Sequence, residues 1–278
     1  MLDLGSRISK IVFGATLIAM ALFLFFPIYW LAISAFKGNA ELYRIIPTLW
    51  PQAPTLEHFA TAFGRGRLLD QLGNSLMVSG AAAAINTMLA MYAGYSFAKF
   101  RYPGRRTTML LLLSAQVFPF GLLLISLYPL VTSLGLIDTH LGLTLSYIVF
   151  ALPVSTYMLY SYFSQVPSEL IEAARADGAG ELRIFHTIVL PVSVPALVTV
   201  YLYGFMWSWN DLLYSLTLIV SESKRTIGPG LLLSYLNEVN ADWGGAMAAS
   251  LVASSPLVIV FAFLQRWFIE GVTAGAVK

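Results

Sequence analysis

Six long stretches without a charged side chain constrain this sequence more than any other feature. An α-helix needs about 20 residues to cross the roughly 30 Å of hydrocarbon in a bilayer, and each stretch is longer than that. The stretches are residues 11–36, 75–98, 107–137, 141–168, 187–210 and 243–265. Because helices satisfy their own backbone hydrogen bonds inside lipid, the sequence predicts an all-α membrane protein with six spanning helices.

The composition agrees with a membrane location and argues against several function classes. Charged residues make up 11% of the chain, whereas a soluble domain carries about a quarter. A net charge of +2 leaves no basic surface for nucleic acid, and the absence of cysteine excludes cysteine-ligated metal. The three histidines are scattered, and neither paired carboxylates nor a G-x-S-x-G motif indicates catalysis. We therefore expect no catalytic residue, no metal site and no cofactor bound by this chain.

Basic residues near the helix ends predict the orientation. The first apolar run, of about 26 residues, is too long for the core of a cleavable signal peptide, which has about 7–15 residues, and should remain as a helix. With the N-terminus inside, ten of the sixteen Lys and Arg residues lie on the cytoplasmic side and six outside. Four of the ten lie in the short connection 99–106, which contributes most to the bias. We expect a multi-pass protein with both termini in the cytoplasm.

The chain is predicted to form a single membrane domain over residues 1–278. The first outer loop, 37–70, contains three prolines and is expected to be extended with little helix. The third outer loop, 221–242, should form a turn at 228–230 followed by a short surface helix. The predicted helices cover about 9–36, 73–98, 107–131, 141–163, 192–219 and 244–268.

A polar segment, residues 164–191, connects the fourth and fifth predicted helices. It should begin with a short helix, because Pro167 suits a first turn and Glu172 lies near the positive end of the helix dipole. Gly178 suits the left-handed backbone conformation that commonly ends a helix. Small alanines would let this helix enter a groove of another protein while Glu172 and Asp177 make ionic contacts at its rim. The alternative is a solvated amphipathic loop with no partner.

The spacing in this segment resembles a known family. It contains E-A-A, three residues, Gly, nine residues and I-x-L-P, beginning at Glu172. This pattern resembles the cytoplasmic coupling loop of ABC importer permeases, and the resemblance extends from about residue 31 onward, with a permease core at 71–266. It implies a six-helix type I ABC importer transmembrane domain whose coupling helix docks in a cleft of a separate ATPase. The residues expected to make this coupling contact are Glu172, Ala173, Ala174, Asp177 and Gly178.

The same resemblance implies a set of partners. They are a second homologous permease forming a heterodimer, two copies of a cytoplasmic ATPase and an extracytoplasmic solute-binding protein in contact with the third outer loop. ATP and Mg would be bound by the ATPase, since this chain contains no G-x-x-x-x-G-K-[ST] phosphate loop. The expected location is the plasma membrane of a bacterium or archaeon, and no nucleic acid is expected to bind.

Three further stretches resemble sugar-type permeases, in particular the smaller, maltose-permease-like member of a permease pair. Residues 134–143 match the second outer loop of that group, and the W-N-D at 209–211 matches a motif of its fifth helix. Residues 271–278 match its G-x-T-x-G-x-V-K ending, which in the family reaches the ATPase beside its nucleotide site. The tail residues expected to contact the ATPase are Thr273, Gly275 and Lys278.

Several polar and aromatic side chains within the apolar runs are candidates for a solute pathway. Asp211 is an acid within an apolar run, and an ionisable residue at membrane depth is a functional hypothesis by default. The alternatives are a structural cap near the outer interface for Asp211, an interfacial belt for the aromatic residues, and bonds between helices for the amides. The candidates are Gln116, Tyr203, Trp207, Asn210 and Asp211.

The sequence thus predicts a permease subunit of an ATP-driven, binding-protein-dependent importer, which moves a sugar or sugar-like solute by alternating access. The competing hypothesis is a self-powered secondary carrier or channel that uses Asp211 for ion coupling. Such carriers contain inverted repeats with broken helices near the bilayer centre, and the sequence contains no convincing pair.

Overall fold

The computed structural model describes residues 7–65, 67–236 and 241–276, with the backbone alone for 7–8, 65 and 266–276. This described part is helical, and its one pairing of extended backbone is an isolated antiparallel bridge between Lys37 and Pro54. In chain order the helices are α1 (Arg7–Ala35), α2 (Asn39–Leu42), α3 (Glu57–Arg65), α4 (Leu68–Lys99), α5 (Arg105–Ser114), α6 (Phe120–Ser133), α7 (His140–Gln165), α8 (Ser168–Ala176), α9 (Glu181–Ile184), α10 (Leu190–Val192), α11 (Val194–Trp209), α12 (Leu213–Leu218), α13 (Ile227–Tyr235) and α14 (Trp243–Ala276).

Four of these helices are each long and apolar enough to cross a membrane without interruption. They contain the segments Ser9–Ala35, Leu68–Lys99, His140–Gln165 and Trp243–Gln265. Two further candidates are bent pairs, Arg105–Val117 with Phe120–Ser133 and Glu181–Val192 with Val194–Trp209, at angles of 103° and 79°. If each bent pair is one span, the described residues provide six spans.

The helix expected at 107–131 is interrupted in the structure. A 3₁₀ turn over Ala115–Val117 follows α5, and Phe118 is extended with φ −72° and ψ 133°. The cause is Pro119, since a proline ring clashes with a helical conformation of the residue before it. Pro119 then precedes α6, so the proline separates two helices rather than bending a single one.

The helix expected at 192–219 also divides into two. Helix α11 ends at Trp209, and α12 begins at Leu213. The Asp211 carboxylate accepts hydrogen bonds from the backbone N–H of Tyr214 at 3.3 Å and of Ser215 at 2.9 Å. These groups lie in the first turn of α12 and would otherwise have no partner. The side chain of Asp211 therefore starts a new helix.

The first and third outer loops each contain more helix than the sequence predicted. In the first, α3 forms because Glu57–Arg65 is amphipathic and buries His58 and Ala62 on one face. In the third, Gly228-Pro229-Gly230 lies inside α13 rather than in a turn. Pro229 lies in the first turn, where the N–H that it lacks is not needed. Gly228 is required for space, because a Cβ there would lie 2.8 Å from the Asp211 carbonyl oxygen.

The chain divides into two compact units, and residues 1–68 with 231–255 form the first. In this unit Lys37 is only 2% exposed, although it lies in a loop. The Lys37 ammonium donates to the Thr48 carbonyl and lies 4.6 Å from the centre of the Trp30 ring. The Lys37 carbonyl bonds the His58 ring at 2.8 Å. These contacts fold residues 37–58 into a compact loop.

The second unit comprises residues 69–230 and 256–278, and in it α7 packs against α11. Helix α4 approaches both of them at Gly94 and Gly204. A Cβ on Gly94 would lie 2.9 Å from Leu159, so glycine brings the backbones of α4 and α7 together. The amide of Asn86 donates to Ser155 Oγ at 2.7 Å between the same helices. Lipid provides no hydrophobic force between helices, so close packing and buried polar bonds hold them together.

A loop clasp, formed by Asp138, Val220, Ser221 and Lys224, joins the loop before α7 to the loop after α12. One oxygen of the Asp138 carboxylate accepts the N–H of Val220 at 3.0 Å and of Ser221 at 2.8 Å. The other accepts the Ser221 hydroxyl and pairs with the Lys224 ammonium at 3.2 Å. Hydrogen bonds from the side chain and backbone of Ser221 hold the pKa of Asp138 well below its ordinary value.

We predict that Asp138→Asn lowers the melting temperature of the purified protein by more than Lys224→Met does. An amide places an N–H₂ group where two donors need an acceptor. The lysine variant loses only a half-exposed ion pair, which contributes roughly 0–1 kcal/mol. Thermal unfolding in detergent measures both, and equal effects would contradict a central role for the carboxylate.

The pH dependence provides a second readout of the same substitution. A depressed pKa in the folded state means that the stabilisation is complete above the ordinary Asp pKa of about 3.9 and is lost as the pH falls through the folded-state value. The difference in melting temperature between wild type and Asp138→Asn should therefore stay constant from about pH 7 to about pH 5. A difference that shrinks within this range would contradict the depressed pKa.

Candidate functional site

The polar segment 164–191 begins with α8, which ends in a Schellman motif. Gly178 has φ +81°, and its N–H donates to the Arg175 carbonyl at 3.0 Å. The N–H of Ala179 donates to the Ala174 carbonyl at 3.0 Å. These two bonds, from the first and second residues after the helix cap, define the motif and satisfy carbonyls at the helix end. The left-handed stop expected at Gly178 is confirmed.

Helix α8 packs against the rest of the second unit through one narrow face. Ile171 and Ala174, three residues apart, are 3% and 8% exposed. Glu172, Ala173 and Asp177 are exposed. Ala174 therefore faces the chain's own core instead of a partner, which differs from the contact that the sequence predicted for it. The surface left for a partner contains Glu172, Ala173, Ala176, Asp177 and Gly178.

The second half of the polar segment turns back into the membrane helix α11. Helix α9 continues into a π-helical turn, Phe185–Val189, which brings Phe185 and Val189 into the interior. The Phe185 ring lies 4.6 Å from the ring of Tyr95 on α4 and 6.1 Å from that of Phe163 on α7. An ion pair between Arg175 and Glu181 at 2.7 Å joins α8 to α9. The buried aromatic contacts fix the segment to α4 and α7, and the exposed ion pair adds a weaker link between α8 and α9.

Two leucines on this segment were missed by the sequence reasoning. Leu170 on α8 and Leu182 on α9 are 46% and 72% exposed. Both leucines lie between the fourth and fifth of the long charge-free stretches. The helical period could have identified Leu170, since it lies one residue before buried Ile171 and thus off the buried face. Single exposed leucines are ordinary on protein surfaces, but these two add apolar area to the exposed surface of the segment.

The structure brings four of the five pathway candidates together. A cavity of about 610 Å³ in the second unit is lined by Tyr203, Trp207, Asn210 and Asp211, together with Met158, Thr199 and Met206. The Trp207 ring stacks on Phe150, with 4.1 Å between ring centres. Asn210 is exposed, with its N–H₂ bonded to the Met206 carbonyl at 2.8 Å. The cavity thus combines aromatic faces with an available amide oxygen.

Gln116 and Asp211 have structural partners. The Gln116 side chain donates to the Phe150 carbonyl at 2.8 Å and lines a different cavity of about 250 Å³. Asp211 is 7% exposed and accepts the Tyr147 hydroxyl at 2.8 Å, in addition to its two bonds to α12. Its carboxylate is occupied, which matches the structural alternative that the sequence left open.

The three tail residues expected to contact the ATPase lie at the C-terminal end of the chain, where no side chain is described. Thr273 and Gly275 belong to the part of α14 described by its backbone alone, and Lys278 lies outside the described residues. Among the side chains that the structure describes, no group of three or more His, Asp or Glu residues could hold a metal ion.

Comparison with known proteins identifies similar sequences over almost the whole chain. The profile of the family described as binding-protein-dependent transport system inner membrane component matches residues 86–273. The inner membrane ABC transporter permease protein YcjP of Escherichia coli is 34% identical over 273 residues, which cover 98% of this chain and 97% of that protein. The maltodextrin transport system permease protein MdxG of Bacillus subtilis is 32% identical, with the same coverage of both chains.

Solved structures share the fold. The structure of a bacterial ABC transporter involved in the import of the acidic polysaccharide alginate matches with a TM-score of 0.82 and 21% identity, covering 96% of this chain and 99% of that one. The inward-facing methionine ABC transporter MetNI matches with a TM-score of 0.58 and 16% identity over 73% of this chain and 95% of the other. The all-α arrangement is therefore that of an ABC importer transmembrane domain.

We predict that Gly178→Ser accelerates amide hydrogen exchange at Ala179, whereas Gly180→Ser does not. Both glycines have open space around the added Cβ, so sterics alone do not separate them. A left-handed serine costs about 1–2 kcal/mol, which corresponds to a roughly 5- to 30-fold increase in local opening. Gly180 has φ −75° and precedes α9, where serine is a preferred cap. Mass spectrometry of exchange compares the variants, and equal protection would refute the requirement for a left-handed residue.

Proposed function

The chain belongs to the binding-protein-dependent transport system inner membrane component family, and we propose that the polar segment 164–191 is where a separate ATPase drives it. It is a permease subunit of an ABC transporter. The observation that carries the proposal is the division of α8 into two faces: Ile171 and Ala174 anchor it, while Glu172, Ala173 and Asp177 face outward. A helix with one anchored face and one free face of small and acidic side chains suits insertion into a groove of another protein.

The mechanism proposed for this contact is alternating access. Closure of the ATPase pair on ATP and Mg would pull α8 and α9 together, since Ile171 of α8 and Ile184 of α9 belong to one buried cluster. Val200 of α11 belongs to the same buried cluster as Ile171 and Phe185, so this movement would reach α11 directly. The membrane helices would then tilt to expose the cavity to the outside. Neither nucleotide nor metal binds to this chain in the mechanism.

A neutral saccharide is the cargo that we propose. Relatives are named for maltodextrin, diacetylchitobiose and galactooligosaccharide transport, which are all saccharides. Tyr203, Trp207 and Asn210 supply flat apolar surfaces and an amide, which suit the faces and hydroxyls of a sugar ring. The carrier hypothesis loses its ion-coupling group, because the Asp211 carboxylate already accepts three hydrogen bonds.

The remaining assembly follows as part of the proposal. A second homologous permease would complete the membrane part as a heterodimer, with two ATPase copies below and a solute-binding protein on the opposite side. Both termini would be cytoplasmic, in the plasma membrane of a bacterium or archaeon.

We predict that a photo-crosslinker on Ala173→Cys attaches to the ATPase subunit in the assembled transporter. The natural chain has no cysteine, so the introduced thiol is unique in this subunit. Ala174→Cys is the matched control, because it lies one residue away but is buried against the core. Labelling by a membrane-impermeant maleimide should require inside-out vesicles. Labelling from the outside of intact cells, or crosslinks only to other proteins, would contradict the proposal.

We predict that Asn210→Ala weakens transport of the saccharide without changing basal ATP hydrolysis. Loss of one hydrogen bond to the sugar should raise the half-saturation concentration of uptake roughly 2- to 10-fold. Gln265→Ala is the control, since Gln265 is also an exposed amide that bonds the backbone of its own helix but lies away from the cavity. Uptake by reconstituted transporter provides the measurement, and equal half-saturation in the two variants would contradict a cargo contact at Asn210.

A further inference from the structure

A groove between the start of α5 and the end of α7 combines cationic, aromatic and aliphatic side chains. Its volume is about 440 Å³. Arg105 and Arg106 contribute the cations, Leu110 and Leu113 follow on the same helix, and Tyr157 and Tyr160 face them from α7. The order along α5, from arginine to leucine, is the order from headgroup to acyl chain in a lipid leaflet.

The two arginines have no carboxylate to balance them. The ion pairs among the described residues are Arg175 with Glu181 and Lys224 with Asp138, and neither involves the groove. The sequence contains no acid between Asp70 and Asp138. Arg105 donates one N–H to the Phe100 carbonyl at 3.0 Å, which fixes the guanidinium while leaving its other donors available. An unbalanced pair of guanidinium groups beside an apolar groove suits a ligand that is anionic at one end and apolar at the other.

The groove lies at the membrane–water boundary on the same side as the polar segment. Arg105 begins α5, whose following residues enter the apolar run, and Tyr160 lies near the end of α7. Lys99, at the end of α4, donates to the Val166 carbonyl at 2.7 Å just before α8. Tyrosine and arginine at this depth are typical of the interfacial region of a bilayer.

We propose that this groove binds a glycerophospholipid with an anionic headgroup from the leaflet that borders the polar segment. The phosphate lies between Arg105 and Arg106, the tyrosine rings border the glycerol region, and one acyl chain runs along Leu110 and Leu113. Basic pockets between membrane helices recognise anionic lipids through this combination of charge and depth. The inference requires only that α7 spans the membrane and that α5 enters it as the first part of the bent pair Arg105–Val117 with Phe120–Ser133. It does not depend on the cargo or on the ATPase contact.

The test is a titration of the complete, delipidated transporter with palmitoyl-oleoyl phosphatidylglycerol, with bound lipid counted by native mass spectrometry. Removing both charges in Arg105→Gln/Arg106→Gln should weaken binding by about fivefold for each arginine. The matched control is Lys10→Gln/Arg101→Gln, which removes the same charge from residues outside the groove and should keep wild-type binding. Arg105→Lys/Arg106→Lys should retain most of the binding, because it keeps the charge.

Further arms identify the ligand and guard against a folding defect. Arg106→Gln alone leaves the Arg105 bond to Phe100 intact and should still weaken binding. Leu113→Asn should weaken binding of phosphatidylglycerol, and glycerol phosphate should not compete with it, because the free anion lacks the acyl chain. Phosphatidylcholine should bind less tightly than phosphatidylglycerol. Equal loss in the two double Gln variants, equal binding of the two lipids, or a crosslink from Leu110→Cys to the second permease instead of lipid would overturn the proposal.

Discussion

The burial of one face of α8 and of Phe185 is the interaction on which the rest of the molecule depends. Helices as short as α8 and α9 are marginal in water on their own. Here Ile171, Ala174 and Phe185 join a cluster that contains Tyr95 of α4 and Phe163 of α7. The segment outside the membrane and the helices inside it therefore share a single core. A contact made on the exposed face of α8 acts on that core, and hence on the spanning helices.

Opposite ends of α7 are held by different chemistry. At one end, apolar packing and the Lys99 bond to Val166 fix the helix beside α8. At the other, Thr139 caps the helix through the N–H of Gly142, and the loop clasp at Asp138 fixes the residues before it. Charge and hydrogen bonding dominate where loops meet water, whereas close backbone approach at Gly94 dominates inside the membrane, where no hydrophobic force between helices operates.

Features set by local backbone chemistry could be predicted from the sequence. The stop at Gly178 is one, because glycine at a helix end satisfies a requirement that involves only adjacent residues. The breaks at Phe118 and Asp211 were not predicted, although their causes are also local. Residues 107–131 were predicted as one helix although they contain Pro119. Asp211 was interpreted as a pathway candidate, because only the fold reveals that its carboxylate bonds Tyr147 and α12. The burial of Ala174 was equally hidden, since propensity does not specify which face of α8 meets the core.

The polar segment 164–191 and the proposed cargo cavity lie close together, because both contact α11. Ala196 and Val200, in the first half of this helix, belong to the cluster beneath the polar segment. Tyr203 and Trp207, in its second half, line the cavity. Val200 and Trp207 are seven residues apart, which is about 10 Å along a helix. A movement of the cluster reaches the cavity through two turns of one helix, and no relay through other side chains is needed. Since Trp207 also stacks on Phe150 of α7, the cavity wall joins the two helices that the cluster moves.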